Sequence, residues 1–359
     1  MAGAITGSCR GVGYALRSAV TQTHDFSGHS SGETLASVSA TDSPSAMTAW
    51  HHRFGCVEGV RLHWAELGVS TSRPPLVLLH GLKDCYRTWR QVAHQLARDR
   101  RVLIPDLPGH GLSDHPDASY ELDWYARIMA RWLDVAGVDR ADVVGHSFGG
   151  GIAQTMLLAC PERIRRLVLV SSGGLGREIL MSLRLLSIPL VVERLGQRFM
   201  GPCTRLALKA AGDVLSSEDL AWLSSMNARS GSARAFARTV RGIIDWRGQR
   251  HTFFQHVDEL STLPPIAVFW GDRDSVVPFS HAEALARSVD GVRITRFARC
   301  GHYPHHDKPD AFVAALRDFL DTSEVPAASL RRVLPRRKGN HGRVLHFPGI
   351  QPHSFTGRA

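Results

Sequence analysis

No apolar run in this 359-residue chain reaches the ~20 residues needed to span a bilayer. A long one, Leu185–Val192, is broken by Ser187 and Pro189. The six cysteines, at positions 9, 56, 85, 160, 203 and 300, form no Cys-x-x-Cys pair. They are too sparse for a disulfide framework, so free thiols in a reducing compartment are expected. No His/Cys/Asp/Glu cluster has metal-ligand spacing, and no metal or other cofactor is expected. No Gly-Lys-Ser/Thr phosphate loop and no dinucleotide fingerprint occurs. Cys9, Arg10 and several glycines interrupt the first twenty residues, which therefore do not read as a secretory signal. Without signal or span, the cytoplasm is the expected location.

What is present is ordinary globular composition, 43% hydrophobic and 21% charged. That excludes a wholly disordered chain. The length suits one large domain with an insertion, or two domains. The net charge of +10 is uneven. Residues 1–50 sum to −1, while residues 323–359 carry seven bases against Glu324. The basic character thus owes much to the tail, and no nucleic-acid partner is expected. The cluster Arg331–Lys338 reads as a solvated basic segment before it reads as a membrane or nucleic-acid contact. Of residues 1–50, 29 are Ser, Thr, Gly or Ala, and no period persists. They are expected to be an unstructured extension, with Met47 an alternative start.

Between these ends, short apolar runs alternate with helical patterns. Leu76–Leu79, Val102–Ile104, Val143–Val144, Leu167–Val170 and Ile266–Phe269 read as strands buried on both faces. Trp89, Val92, Ala93 and Leu96 share one helical face, as do Tyr125, Ile128, Met129 and Trp132. Phe312, Leu316, Phe319 and Leu320 repeat the pattern near the end. The alternation predicts an α/β fold, a mostly parallel, doubly wound sheet with helices on both faces. Residues 52–68 suggest an antiparallel hairpin at one edge. The rhythm stops between 173 and 262, where no convincing strand is found. The expected organisation is an extension over 1–50, a core over 51–172 and 263–322, a helical cap over 173–262 and a basic mobile tail over 323–359.

Gly145-His146-Ser147-Phe148-Gly149 follows a strand and opens a helix. Small residues on both sides fit a turn too tight for side chains, leaving the Ser147 hydroxyl exposed at a helix N-terminus. A serine hydroxyl needs a base to take its proton. His302 is the candidate, because Gly301 lets its loop approach; His305 and His306 are rivals. The orienting acid is expected beyond the strand at Ile266, where Asp274 is preferred to Asp272, which suits a turn. The developing oxyanion needs backbone donors. Phe148 N–H is one, and Leu82 N–H, after His80-Gly81, is the other. Asp106–Asp114 forms a further Gly-rich loop, expected to shape the wall of the site.

Taken together, His80-Gly81, Asp106-Leu-Pro-Gly-His-Gly111, Gly145–Gly149, Gly271-Asp-Arg-Asp274 and Gly301-His302 resemble the α/β-hydrolase superfamily over about residues 52–322. The segment Thr239–Gln249 resembles that of uncharacterised actinobacterial members. The resemblance implies a triad of Ser147, Asp274 and His302, in the chain order of that superfamily. Dehalogenases and epoxide hydrolases of the superfamily carry Asp where this chain has Ser147. Carbon–carbon bond hydrolases resemble it overall, but carry a Gly-Pro-Gly-Ala-like loop in place of Leu82–Tyr86. The expected function is hydrolysis of a carboxylic ester of a small-molecule acyl substrate. Alternatives on the same triad are a carbon–carbon bond, a thioester or acyl transfer, and a non-catalytic ligand-binding member is a further one.

Two features of the expected cap admit two readings each. Arg234, Arg238 and Arg241 lie on one helical face, as an anion clamp or a solvated face. Met181, Leu186, Phe199, Met200, Phe253 and Phe254 either line an acyl pocket or pack the cap.

Overall fold

The computed structural model describes residues 49–186, 196–210, 216–253, 256, 260 and 262–325. The expectations for 1–48, Met47 included, and for the basic segment from 326 onward lie outside them. So do Phe254 and the side chain of Leu186.

Eight strands form one sheet in the order β1-β2-β4-β3-β5-β6-β9-β10. They are β1 (His51–Val57), β2 (Val60–Leu67), β3 (Leu76–Leu79), β4 (Val102–Pro105), β5 (Ala141–His146), β6 (Ile164–Val170), β9 (Ile266–Gly271) and β10 (Arg293–Phe297). β7 (Ile244–Asp245) and β8 (Gly248–Gln249) pair separately. β1 and β2 are the antiparallel edge hairpin, and β2 meets β4 antiparallel. From β4 to β10 every neighbour is parallel. The apolar runs become strands because burial on both faces leaves no room for polar alternation. β3, β4, β5 and β9 are buried at every residue.

Ten helices flank or interrupt the sheet among the described residues: α1 (Arg90–Leu96), α2 (Leu122–Val135), α3 (Phe148–Ala159), α4 (Met181–Leu186), α5 (Met200–Ala210), α6 (Ser217–Asn227), α7 (Ser232–Ile243), α8 (Ser280–Ser288), α9 (Pro304–Asp307) and α10 (Pro309–Thr322). Strand side chains alternate between two cores. Val77 and Leu79 pack with Tyr125, Met129, Trp132, Ile152 and Met156 of α2 and α3. Leu76 and Leu78 pack with Trp89, which precedes α1, with Leu96 of α1 and with Phe312 and Leu316 of α10. That period of two within β3 closes an apolar layer on each face.

The chain leaves β3 for β4 on one side and returns to β5 on the other. The carboxyl ends of β3 and β5 therefore frame a crevice at the point where the strand order reverses, where ligands of open α/β sheets bind.

Between β6 and β9 the chain runs through α4 to α7 and the β7–β8 hairpin. Among the described residues, the hairpin is the one departure from the strandless expectation. Its strands are two residues long, too short for alternation to register. Asp245 Oδ1 accepts the Arg247 N–H at 2.7 Å and closes the turn. Two of the three helix-face arginines, Arg234 and Arg238, meet neither expectation. Arg238 reaches Asp117 Oδ1 at 2.5 Å and the Ala118 carbonyl at 2.7 Å. Arg234 donates to the His115 carbonyl at 3.2 Å. The pair thus fastens α7 to the loop after β4. Met200 packs with Phe236 and Val240 of α7, and Phe253 joins the main core, whereas Met181 and Phe199 are exposed. Among the described residues, no helix is long and apolar enough to cross a membrane.

Candidate active site

Ser147 stands between the last residue of β5 and the first of α3, with φ 50° and ψ −113°. Positive φ in a non-glycine residue is strained and survives where surrounding structure enforces it. Enforcement comes from close backbone approach. A Cβ on Gly145 would lie 2.6 Å from the Gly149 carbonyl oxygen, and one on Gly149 would lie 2.6 Å from the carbonyl oxygens of Leu79 and His80. α3 thus starts against the end of β3. The Ser147 side chain caps no N–H of α3, and Ser147 N–H donates to the Val170 carbonyl at 2.9 Å.

Asp274 lies in the loop after β9, its carboxylate wholly buried. Its Oδ1 accepts the N–H groups of Val276 and Val277, at 2.9 and 3.0 Å. Its Oδ2 meets His302 Nδ1 at 2.9 Å. Burial pulls this carboxyl upward, but the His302 charge, its hydrogen bond and the two backbone donors outweigh it. The net pKa lies below the ordinary value. An ionised Asp274 makes His302 Nδ1 the donor, which leaves Nε2 to act as base.

The rivals sit elsewhere. Asp272 Oδ1 accepts the Cys300 N–H at 3.2 Å, which ties the loop after β9 to the loop after β10 instead of closing its own turn. His305 is fully buried, stacked on Trp89 with ring centroids 4.3 Å apart. His306 Nε2 donates to the Thr88 carbonyl at 2.6 Å. Neither meets Asp274.

His146 joins the serine turn to the histidine loop. Its Nε2 donates to the His302 carbonyl at 2.9 Å, and the two rings lie 5.0 Å apart. Among the described residues, Ser147 Oγ has no hydrogen-bond partner.

The two expected oxyanion donors flank this serine. Phe148 opens α3, so its N–H has no carbonyl four residues back inside the helix. Gly81 lies so close that a Cβ there would sit 3.5 Å from Ser147 Cβ and 3.0 Å from His146 Nδ1. Its carbonyl is held by His80 Nδ1 at 2.8 Å, while His80 Nε2 accepts the Leu107 N–H at 3.0 Å. The second bond fixes the His80 tautomer as Nδ1–H. Burial, against the field of Asp106, lowers the pKa of this imidazole and favours its neutral form. Because a peptide's C=O and N–H point in opposite directions, anchoring Gly81 O turns Leu82 N–H the other way.

Sequence reasoning quoted His80 but gave it no role, and it missed His146, which occupies a variable position of its motif. It also missed Gln249 of β8, whose Oε1 accepts the Gly174 N–H at 2.7 Å beside the serine turn. In the Asp106 loop, Asp106 is fully buried. It accepts from Tyr86 N at 2.7 Å and Leu112 N at 2.8 Å, and meets His63 Nδ1 at 2.8 Å. It braces the loop beside the site. Among the described residues, no cluster of three His, Cys, Asp or Glu could hold a metal ion.

An eight-stranded, mostly parallel sheet with a serine on the turn after its fifth strand, and loops carrying acid and imidazole at the same ends, defines the α/β-hydrolase architecture. The chain belongs to the alpha/beta hydrolase fold family, whose model matches residues 74–309. It is 34% identical over 302 residues to an uncharacterized protein of Mycobacterium tuberculosis, covering 80% of this chain and 87% of that one. It is 30% identical over 285 residues to the 2-hydroxymuconate semialdehyde hydrolase of Pseudomonas sp. (strain CF600), covering 76% of this chain and 94% of the relative. Among solved structures, Cfl2 of Burkholderia cenocepacia superposes with a TM-score of 0.65 at 26% identity, covering 77% of this chain and 98% of that one.

Proposed function

We propose that the protein is a serine hydrolase that cleaves a carboxylic ester through an acyl-enzyme. Ser147 Oγ attacks the acyl carbonyl while His302 Nε2 accepts its proton. Asp274 holds the imidazole by Nδ1 and stabilises its charged form. Leu82 and Phe148 N–H groups bind the oxyanion of the tetrahedral intermediate. His302 returns the proton to the leaving alcohol, and water then releases the acid by the same route. The segment 173–262 serves as a cap over the crevice. The observation that carries this reading is the 2.9 Å bond between His302 and Asp274, with the neighbour of Ser147 bonded to the His302 carbonyl at 2.9 Å.

A second reading keeps the same groups and replaces the ester by a vinylogous diketone. The identity with 2-hydroxymuconate semialdehyde hydrolase favours it. One experiment tests both. A fluorophosphonate should label Ser147, located by mass spectrometry, and Ser147→Ala should abolish label and turnover while the protein stays folded. A panel of p-nitrophenyl esters, acyl-coenzyme A thioesters and vinylogous diketones then ranks the bond cleaved. Ester turnover that survives Ser147→Ala would overturn the mechanism; diketone turnover without ester turnover would favour the second reading.

A further inference from the structure

Lys83 follows the expected oxyanion donor Leu82, and nothing in the proposed mechanism uses it. Its backbone is held in the left-handed region, with φ 61°, and Asn227 Nδ2 donates to its carbonyl at 2.9 Å. Its side chain crosses to α7, where Nζ donates to Ser232 Oγ at 2.5 Å and lies 5.8 Å from the centroid of the Phe236 ring. An ammonium has three donors, and this one satisfies one of them on a neutral hydroxyl. Among the described residues no carboxylate pairs with it. Burial alone holds its pKa down to about 7. A desolvated cation without a counter-ion is costly, and proteins rarely keep one without a use.

The charges acting on the two neighbouring imidazoles share one sign. Burial, together with the charges of Arg229, Lys83 and Arg234, holds the His115 pKa down to about 4. His110 is almost fully buried and feels burial first, then the fields of His80 and Lys83. Its Nδ1 donates to the Pro108 carbonyl at 3.0 Å, and its buried Nε2 has no partner. The His110 ring stacks at 6.3 Å on Phe148, the residue after the serine. Ser232 opens α7, a twelve-residue helix whose N-terminal end also favours negative charge. An unpaired ammonium, a positive field and an unpartnered buried imidazole nitrogen therefore meet beside the serine turn.

We propose that Lys83 binds a carboxylate carried by the substrate, where its side chain bridges the Leu82 loop and α7. The favoured substrates are then esters that bear an acidic group, and a water or hydroxyl accompanying the anion donates to His110 Nε2. This rests on the hydrolase reading above, and the test separates the two.

Two ester pairs read the preference. Mono-p-nitrophenyl glutarate against p-nitrophenyl pentanoate places the anion on the acyl side. p-Carboxyphenyl butyrate against p-carbamoylphenyl butyrate places it on the alcohol side. In at least one pair the wild type should prefer the anionic member, and Lys83→Met should lower the ratio of kcat/KM values about 10–100-fold, the size of a charged hydrogen bond. Lys83→Gln provides a second variant. Thermal melts confirm folding, and Lys83→Met should melt no lower than wild type, since it removes a desolvated charge. Binding of monomethyl glutarate to the Ser147→Ala protein, with and without Lys83→Met, reads the anion site without chemistry. No anionic preference in either pair, or a ratio and an affinity indifferent to Lys83, overturns the proposal. Failure of Ser147 labelling, with Lys83-dependent binding intact, overturns the hydrolase reading alone.

Discussion

At the scale of single residues, the site rests on a carboxylate whose surroundings keep it charged. Asp274 is buried but satisfied by two backbone donors and an imidazole, and it stays ionised. Asp274→Asn keeps the shape and reverses one hydrogen-bond role. It should lower kcat ~10⁴-fold by selecting the wrong His302 tautomer, measured with a p-nitrophenyl ester. Because the Asp274 pKa is lowered on folding, its ionised form stabilises the fold above the ordinary carboxylate value, about 3.9, and that stabilisation disappears as pH falls below it. Denaturant melts should therefore show the wild type's margin over Asp274→Asn shrinking below about pH 4. The residue types Ser147, Asp274 and His302 were legible because their motifs carry flanking glycines. His80 and His146 were not, because a second imidazole role depends on which carbonyl lies opposite it, and that is a tertiary fact.

At the scale of elements, the junction of β5, α3 and β3 is set by glycine at some positions and not at others. A Cβ on Gly149 meets backbone oxygens at 2.6 Å, which cannot swing away. Gly149→Ala should lose about 1–3 kcal/mol and deform the serine turn. Gly151 is two residues on, and a Cβ there meets only Leu122 Cδ2 at 3.6 Å. Gly151→Ala should be neutral or gain about 0.5–1 kcal/mol through helix propensity. Urea unfolding of both variants, with ester turnover, checks the contrast. Sequence pattern located these elements well: the apolar faces predicted around Trp89, Tyr125 and Phe312 are the buried faces of α1, α2 and α10. It missed the β7–β8 hairpin and the destination of Arg234 and Arg238. A long cationic side chain on a helix face can meet solvent, ligand or a neighbouring loop, and only the fold supplies the loop.

For the whole molecule, the end of the described core is tied to the sheet by a buried ionic cluster. Arg166 Nη1 meets Asp142 Oδ1 at 3.3 Å, and Arg100 Nη1 lies 3.7 Å from Asp142 Oδ2. Arg166 also donates to the Ser323 hydroxyl and carbonyl, each at 2.7 Å, beyond the last residue of α10. Burial raises the Asp142 pKa despite these cations. Breaking such a cluster from one side leaves the buried Arg166 without its carboxylate and Arg100 with only Asp99 at 3.3 Å and Asp321 at 3.9 Å. Asp142→Ala should cost about 3–5 kcal/mol, read by guanidinium unfolding, whereas an exposed pair such as Arg287–Glu283 should contribute about 0–1 kcal/mol. The cluster spans residues 100 to 323, and no local pattern could have announced it.

The order of apolar runs and amphipathic stretches was enough, on its own, to establish the α/β class, because burial on two faces and on one face leave different periods in the chain. The glycine-framed motifs likewise pointed to Ser147, Asp274 and His302 as candidates, because tight turns restrict which residues fit. Which histidine faces Asp274, where the arginines of α7 go, and that Lys83 lies without a counter-ion among the described residues were decided only by the tertiary structure. Each depends on distances between segments far apart in the chain, set by packing rather than by neighbours in sequence.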